Sequence, residues 1–209
     1  MTSQALQFAT PGDDNEELAR AELYGLLSRL WLAPPDAELL QQFSVAVTQA
    51  PVAGGWLEAP WQTLVHTLRN STPELAAEEH EALFHGVGKA EVFPYGSFYL
   101  AGFLNEKPLA ALRTDLAALG LTRDANALET EDHIAYGLEV MRWLIAGDDV
   151  ALCNLEQQRR FFRAHLQPWA EHFCDAVQAH PRALLWHAVA GLTREFIRVE
   201  TQAFDMLEL

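Results

Sequence analysis

Apolar residues recur along this chain every three or four positions, the spacing that places side chains on one face of an α-helix. Clear examples are Leu23 to Trp31, Trp61 to Leu68 and Leu109 to Leu119. No alternation of apolar and polar residues persists long enough to predict a β-strand. The sequence therefore predicts an all-α fold of about nine or ten helices.

Helix ends are marked by capping side chains, prolines and glycines. The sequence Ser71-Thr72-Pro73-Glu74 is the clearest start, with a hydroxyl cap followed by proline in the first turn. The predicted starts are Asp13 or Asp14, Asp36, Thr72, Thr130, Asp148-Asp149, Pro168 and Pro181. The predicted stops include Pro34-Pro35, Gly86, Gly120 and Gly147.

The 209 residues are expected to form a single globular domain spanning 1–209, with residues 1–13 disordered and a hinge in the irregular stretch 86–128. A formal charge of −15 argues against nucleic-acid binding. No uncharged apolar run approaches the roughly 20 residues of a membrane span, and the first fifteen residues do not resemble a secretory signal. Two isolated cysteines fit a reducing compartment, so we expect a cytoplasmic protein.

One chemically distinctive segment is Glu129–His133, the acidic segment, which contains three carboxylates and a histidine at a predicted helix start. Carboxylates are favoured there by the helix dipole, and their charge is expected to raise the pKa of His133. A compact acidic patch suits a guanidinium, which carboxylate oxygens bind bidentately. The alternative is an ordinary acidic helix start with a surface histidine.

The other distinctive segment is Glu78–Tyr99, the loop segment, which ends one helix, crosses a glycine-bearing loop and restarts after Pro94. Its proline, rings and hydroxyls are a composition common in peptide-binding grooves. Leu83 and Phe84 fit such a groove, although they equally fit a plain core. We expect the two segments to lie side by side, so that acidic groups border an apolar trough.

Catalytic and metal motifs are missing from the sequence. Gly86-Val87-Gly88-Lys89 lacks the spacing of a phosphate-binding loop, and Ala90 stands where that motif has Ser or Thr. No HExxH pattern occurs, and no two Glu-x-x-His units suit a di-iron bundle. We therefore predict a protein that is not an enzyme, with no catalytic residue, no metal site and no cofactor of its own.

The two segments together resemble the TorD/DmsD/NarJ chaperones, cytoplasmic redox-enzyme maturation proteins of bacteria and archaea. The resemblance in helix order runs from about Glu16 to the C-terminus. It is carried by Leu83-Phe84 with Gly86 and Gly88, by Pro94-Tyr95-Gly96-Ser97-Phe98-Tyr99, and by Glu129 with Asp132-His133.

This resemblance implies an all-helical protein that binds the twin-arginine signal peptide of the catalytic subunit of a molybdopterin-containing oxidoreductase. Binding would precede cofactor loading and export. The resemblance also implies weak guanine-nucleotide binding and a monomer or a domain-swapped dimer. The peptide-binding residues that it implies are Leu83, Phe84, Pro94, Tyr95, Ser97, Tyr99, Glu129, Asp132 and His133.

Two positions depart from the family pattern, because His80 stands where several members have an aromatic residue and Tyr95 where tryptophan often occurs. Three alternatives stay open. The first is a NarJ-like assembly chaperone for a non-exported molybdoenzyme or a formate dehydrogenase. The others are a nucleotide-hydrolysing enzyme that uses Lys89 with Asp132 and His133, and a structural helical subunit of a larger complex.

Overall fold

Ten α-helices follow one another in the computed structural model, which describes residues 13–45, 55–86 and 90–207, and no strand occurs among these residues. The all-α prediction is confirmed. Residues 1–12, within the segment expected to be disordered, lie outside the described residues. The helices are α1 (Asp13–Leu32), α2 (Ala37–Val45), α3 (Glu58–Arg69), α4 (Pro73–His80), α5 (Gly96–Ala101), α6 (Lys107–Ala118), α7 (Ile134–Ala146), α8 (Leu155–His165), α9 (Ala170–Gln178) and α10 (Leu185–Met206).

Several helix ends follow directly from the local sequence. Asp36 accepts a hydrogen bond from the backbone N–H of Leu39 at 2.8 Å, and Thr72 caps α4 through its hydroxyl. The last turn of α4 continues as a π-helical turn, Glu81–His85, and π-helical turns are frequent at functional sites. Gly120 follows α6 with a φ of +72°, which glycine adopts without steric cost.

Three of the predicted helix starts are wrong. α7 begins at Ile134 because the Thr130 hydroxyl donates to the Asp132 carboxylate at 2.7 Å instead of capping the helix. Asn154 caps α8, so Asp148-Asp149 precede that helix. α10 begins four residues after Pro181, at Leu185.

The helices pack around one continuous apolar cluster. α1 lies against α7, and α10 lies against both α3 and α9. Large buried rings, among them Trp31, Trp61 and Trp186, fill the spaces between these helices. The stretch 86–128 contains α5 and α6, and the apolar side of α6 joins the same cluster. The expected hinge in that stretch stays a prediction. No helix in the described ranges combines the length and apolar character needed to cross a bilayer.

The start of α10 is capped by a side chain from another helix. The Glu79 carboxylate of α4 accepts hydrogen bonds from the backbone N–H groups of Leu184, Leu185 and Trp186 at 2.8, 3.0 and 2.9 Å. A carboxylate in this place satisfies donors that a helix leaves free at its first turn and complements the helix dipole. Glu79 therefore ties the end of α4, where the loop segment begins, to α10, the longest of the described helices.

Replacing Glu79 by alanine is expected to lower the free energy of unfolding by about 1–3 kcal/mol, because it leaves three backbone donors without an acceptor. Urea unfolding followed by circular dichroism measures the change. Glu78→Ala is the matched control, since Glu78 is the exposed neighbour on the same helix. Equal destabilisation by both variants would contradict the capping role.

Candidate functional site

Backbone hydrogen bonds join the loop segment to the acidic segment. The Ile134 N–H donates to the Pro94 carbonyl at 2.9 Å, and the Gly96 N–H donates to the Asp132 carbonyl at 2.9 Å. These bonds form an antiparallel bridge between Tyr95 and His133. The expectation that the two segments lie side by side is therefore confirmed.

The buried side chain of Asp132 stabilises this junction through hydrogen bonds. Its side chain is only 6% exposed and accepts hydrogen bonds from the Ser97 N–H at 2.9 Å, from the Ser97 hydroxyl and from the Thr130 hydroxyl. Both carboxylate oxygens thus have partners inside the protein. Asp132 fixes the start of α5 and presents no free carboxylate to solvent.

His133 is the N-cap residue of α7. Its Nδ1 accepts a hydrogen bond from the Ala135 N–H at 3.2 Å, which requires an unprotonated Nδ1. Burial lowers the pKa of His133 to about 3, and the charge of nearby His80 acts in the same direction. The expectation of a raised pKa is therefore wrong, because desolvation of the buried ring outweighs the attraction of Asp132. His133 is neutral at pH 7.

Tyr95 and Glu129 form the more exposed part of the junction. The Tyr95 hydroxyl donates to the Glu129 carboxylate, and the Tyr95 ring meets His133 edge-on with centroids 5.3 Å apart. Burial raises the pKa of Tyr95, and its hydrogen bond to Glu129 raises it further. Within the described ranges Glu129 has no cationic side chain in a salt bridge. It is therefore the carboxylate of the acidic segment that remains available to a cation.

Glu131 already has cationic partners. Arg113 binds its carboxylate at 2.8 Å, and Arg123 approaches it to 3.8 Å. The hydrogen bond from Arg113 holds the pKa of Glu131 below its usual range. The expected compact acidic patch is thus reduced to one carboxylate, that of Glu129, because Asp132 is buried and Glu131 is paired.

Leu83 and Phe84 belong to the core. Leu83 is fully buried and Phe84 is 7% exposed, with its ring edge-on to Trp31 at 6.0 Å and to Trp186 at 5.9 Å. His80 packs against both Phe84 and Trp186. The surroundings of Leu83 and Phe84 therefore match the alternative of a plain core. Neither side chain lines an open trough.

The remaining positions that the resemblance implies lie around the same junction. Pro94 and Ser97 are buried, and Tyr99 is half-buried with its ring stacked on Trp169 at a centroid distance of 5.7 Å. Gly96 allows the close approach of Trp169, because a Cβ added there would lie 2.9 Å from its Nε1. These contacts pack α5, which begins directly after Tyr95, against Trp169. That the nine positions bind a peptide stays a prediction.

Residues 87–89 of the glycine-bearing loop, which include Lys89, lie outside the described residues. On either side of these residues, the Leu83 carbonyl accepts hydrogen bonds from the N–H groups of Glu91 and Val92 at 3.1 and 3.0 Å.

In the part of the chain that the structure describes, no three His, Cys, Asp or Glu side chains lie together as a possible metal site.

Sequence reasoning missed an open apolar groove beside the junction. This α6–α7 groove has a volume of about 400 Å³, and its apolar lining includes Leu112, Leu116, Leu121, Val140 and Trp143. The helical spacing of α6 marked Leu112 and Leu116 as inward-facing. It could not show that the two apolar faces leave a gap between them.

Comparisons with known proteins identify the family of the chain. The family model described as nitrate reductase delta subunit matches residues 55–175. Chaperone protein TorD of Aliivibrio fischeri is 27% identical over 201 residues, which cover 88% of this chain and 93% of that protein. Chaperone protein TorD of Vibrio cholerae serotype O1 is 27% identical over 205 residues, which cover 90% and 93%.

A solved structure shares the fold. A candidate redox enzyme maturation protein from Archaeoglobus fulgidus superimposes with a TM-score of 0.58 and 19% identity, over 86% of this chain and 93% of that one. The segment matched by the family model spans more than half of this chain and contains both Tyr95 and His133. The chain therefore belongs to the nitrate reductase delta subunit family, the TorD/NarJ family.

Proposed function

We propose that this protein is a cytoplasmic maturation chaperone that binds the twin-arginine signal peptide of a molybdopterin-containing oxidoreductase subunit. It would hold that subunit for cofactor insertion before export. Membership of a family of maturation chaperones rather than enzymes supports the class of activity. The observation that carries the peptide-binding role is the junction at which Tyr95, Glu129 and His133 meet.

Glu129 is the residue that we assign to the cationic part of the leader. A guanidinium offers two parallel donors to a carboxylate, and the Tyr95 hydroxyl fixes the position of the Glu129 side chain beforehand. The net charge of −15 adds long-range attraction for a basic peptide. Salt should weaken this attraction, since the Debye length is about 8 Å at physiological ionic strength.

Asp132, Ser97 and His133 act as positioning residues in this proposal. Asp132 bonds to Ser97 across the junction, and His133 caps α7, so both fix the backbone that carries Tyr95. Substitutions at these positions would alter peptide binding through the shape of the junction. Substitution of Glu129 would remove a direct contact.

Titration with a synthetic twin-arginine leader is expected to give micromolar binding, about −8 kcal/mol. Glu129→Gln should weaken binding about tenfold and flatten its salt dependence, because a charged partner of the arginines is lost. Glu38→Gln removes an exposed carboxylate of α2, outside both segments, and serves as the control. Equal affinities of the Glu129→Gln variant and the wild-type protein would refute the assignment of Glu129, and failure of the wild type to bind would refute the proposed function.

A second form of the function is favoured by the description of the matching family model as nitrate reductase delta subunit. In that form the client is a molybdoenzyme that is not exported, as for a NarJ-like assembly chaperone. Affinity purification of the client separates the two forms, because the captured subunit either carries a twin-arginine leader or lacks one.

A further inference from the structure

The α6–α7 groove lies directly beside the junction. Tyr136 lines the groove, and its ring centroid lies 6.0 Å from that of His133. Glu131, which also lines the groove, precedes Asp132 in the chain. A peptide that runs from Glu129 towards Tyr136 would therefore reach the apolar lining of the groove directly.

We propose that the α6–α7 groove receives the apolar core of the leader peptide while the cationic start of the leader lies at Glu129. This inference rests on the proposed function and names the surface that binds the apolar part of the leader. The groove takes the place of Leu83 and Phe84 as the apolar binding surface. Both are core residues and would have to leave the packed interior to contact a ligand.

The size and lining of the groove suit this occupant. Ligand pockets commonly have volumes of about 300–1,000 Å³ and a mostly apolar lining. At about 400 Å³ the groove can take a few aliphatic side chains of a peptide. Leu121, Val140 and Trp143 are half-buried, so each keeps apolar surface that a ligand can cover.

The charges at the mouth of the groove favour a basic flank on the occupant. Three carboxylates and one guanidinium line it, those of Asp124, Glu131, Glu139 and Arg123. Glu131 is paired with Arg113, and Glu139 is paired with Arg142. Asp124 has no salt bridge to a cationic side chain within the described ranges. Glu129 follows five residues further along the same loop, so the groove and the junction together carry two carboxylates without a salt bridge, which a basic peptide can neutralise.

The test measures binding of a labelled twin-arginine leader by fluorescence anisotropy, beside a leader whose apolar core is replaced by serine and glycine. Val140→Asp introduces a charge into the groove. Val150→Asp makes the same change at a position that is 82% exposed and outside the groove. Leu121→Asp, in the loop after α6, is a second groove variant should Val140→Asp disturb folding, which circular dichroism detects.

Both groove variants are expected to bind the leader at least tenfold more weakly, while Val150→Asp binds like the wild-type protein. The serine–glycine leader should lose affinity for the wild-type protein by a similar factor. A leader with a photo-crosslinking residue in its apolar core should label peptides from α6 and α7 of the wild-type protein.

The results separate the two proposals. Labelling confined to Glu81–Tyr99, or wild-type affinity in both groove variants, overturns the groove assignment and leaves the proposed function standing. Undiminished binding of the serine–glycine leader also overturns the groove assignment. No binding of the intact leader to the wild-type protein refutes the proposed function, and the groove assignment falls with it.

Discussion

Replacing Glu200 by alanine is expected to lower the free energy of unfolding by about 3–5 kcal/mol, because it removes the buried carboxylate that pairs with the part-buried Arg20 guanidinium. Arg20 of α1 donates to the Glu200 carboxylate of α10 through Nε at 2.8 Å and Nη2 at 2.6 Å. The buried hydroxyl of Tyr24 donates to the same carboxylate at 2.8 Å. Arg20 also donates to Gln158 of α8 at 2.8 Å, so the cluster joins three helices.

Urea unfolding at neutral pH measures this effect. Glu17→Ala is the matched control, because Glu17 is an exposed partner of the same arginine and exposed ion pairs contribute about 0–1 kcal/mol. The double variant Arg20→Met with Glu200→Leu should recover part of the lost stability, since it removes both charges together. A Glu200→Ala variant as stable as Glu17→Ala would show that the pair contributes no more than a surface contact.

The sequence predicts the helices better than it predicts their polar contacts. The stripes of α3 and α6 and the caps at Asp36 and Thr72 depend on residues three or four apart, so local spacing suffices to find them. The Arg20–Glu200 pair joins residues 180 positions apart. Nothing in a local pattern selects that partner, and the charged residues look like ordinary exposed positions.

The candidate site shows the same limit. The resemblance places Tyr95 and His133 in one site, and the structure brings them into contact. Burial is what the sequence does not reveal. A run of acidic residues favours an exposed patch, whereas Asp132 folds inward because the Ser97 N–H and hydroxyl, from a distant segment, satisfy it.

Lowering the pH from about 6.5 towards 4 is expected to destabilise the protein through His80 and His133. Burial lowers the pKa of His133 to about 3 and that of His80 to about 4 in the folded protein. An unfolded histidine has a pKa of about 6.5, so the unfolded chain binds more protons throughout this interval. The stability that depends on the neutral rings is therefore complete above pH 6.5 or so and falls as the pH decreases, by at most about 1.4 kcal/mol per pH unit for each histidine.

Unfolding by urea at a series of pH values tests this dependence. His133→Asn keeps a side-chain acceptor for the Ala135 N–H, and His80→Phe keeps a ring against Phe84 and Trp186, so both remove the titrating group with little loss of packing. Each variant should flatten the slope of stability against pH between pH 4.5 and 6.5, whereas His172→Asn, at an exposed position, should keep the wild-type slope. Carboxylates titrate mainly below this interval, so a wild-type slope in both buried-histidine variants would mean that these rings do not control acid stability.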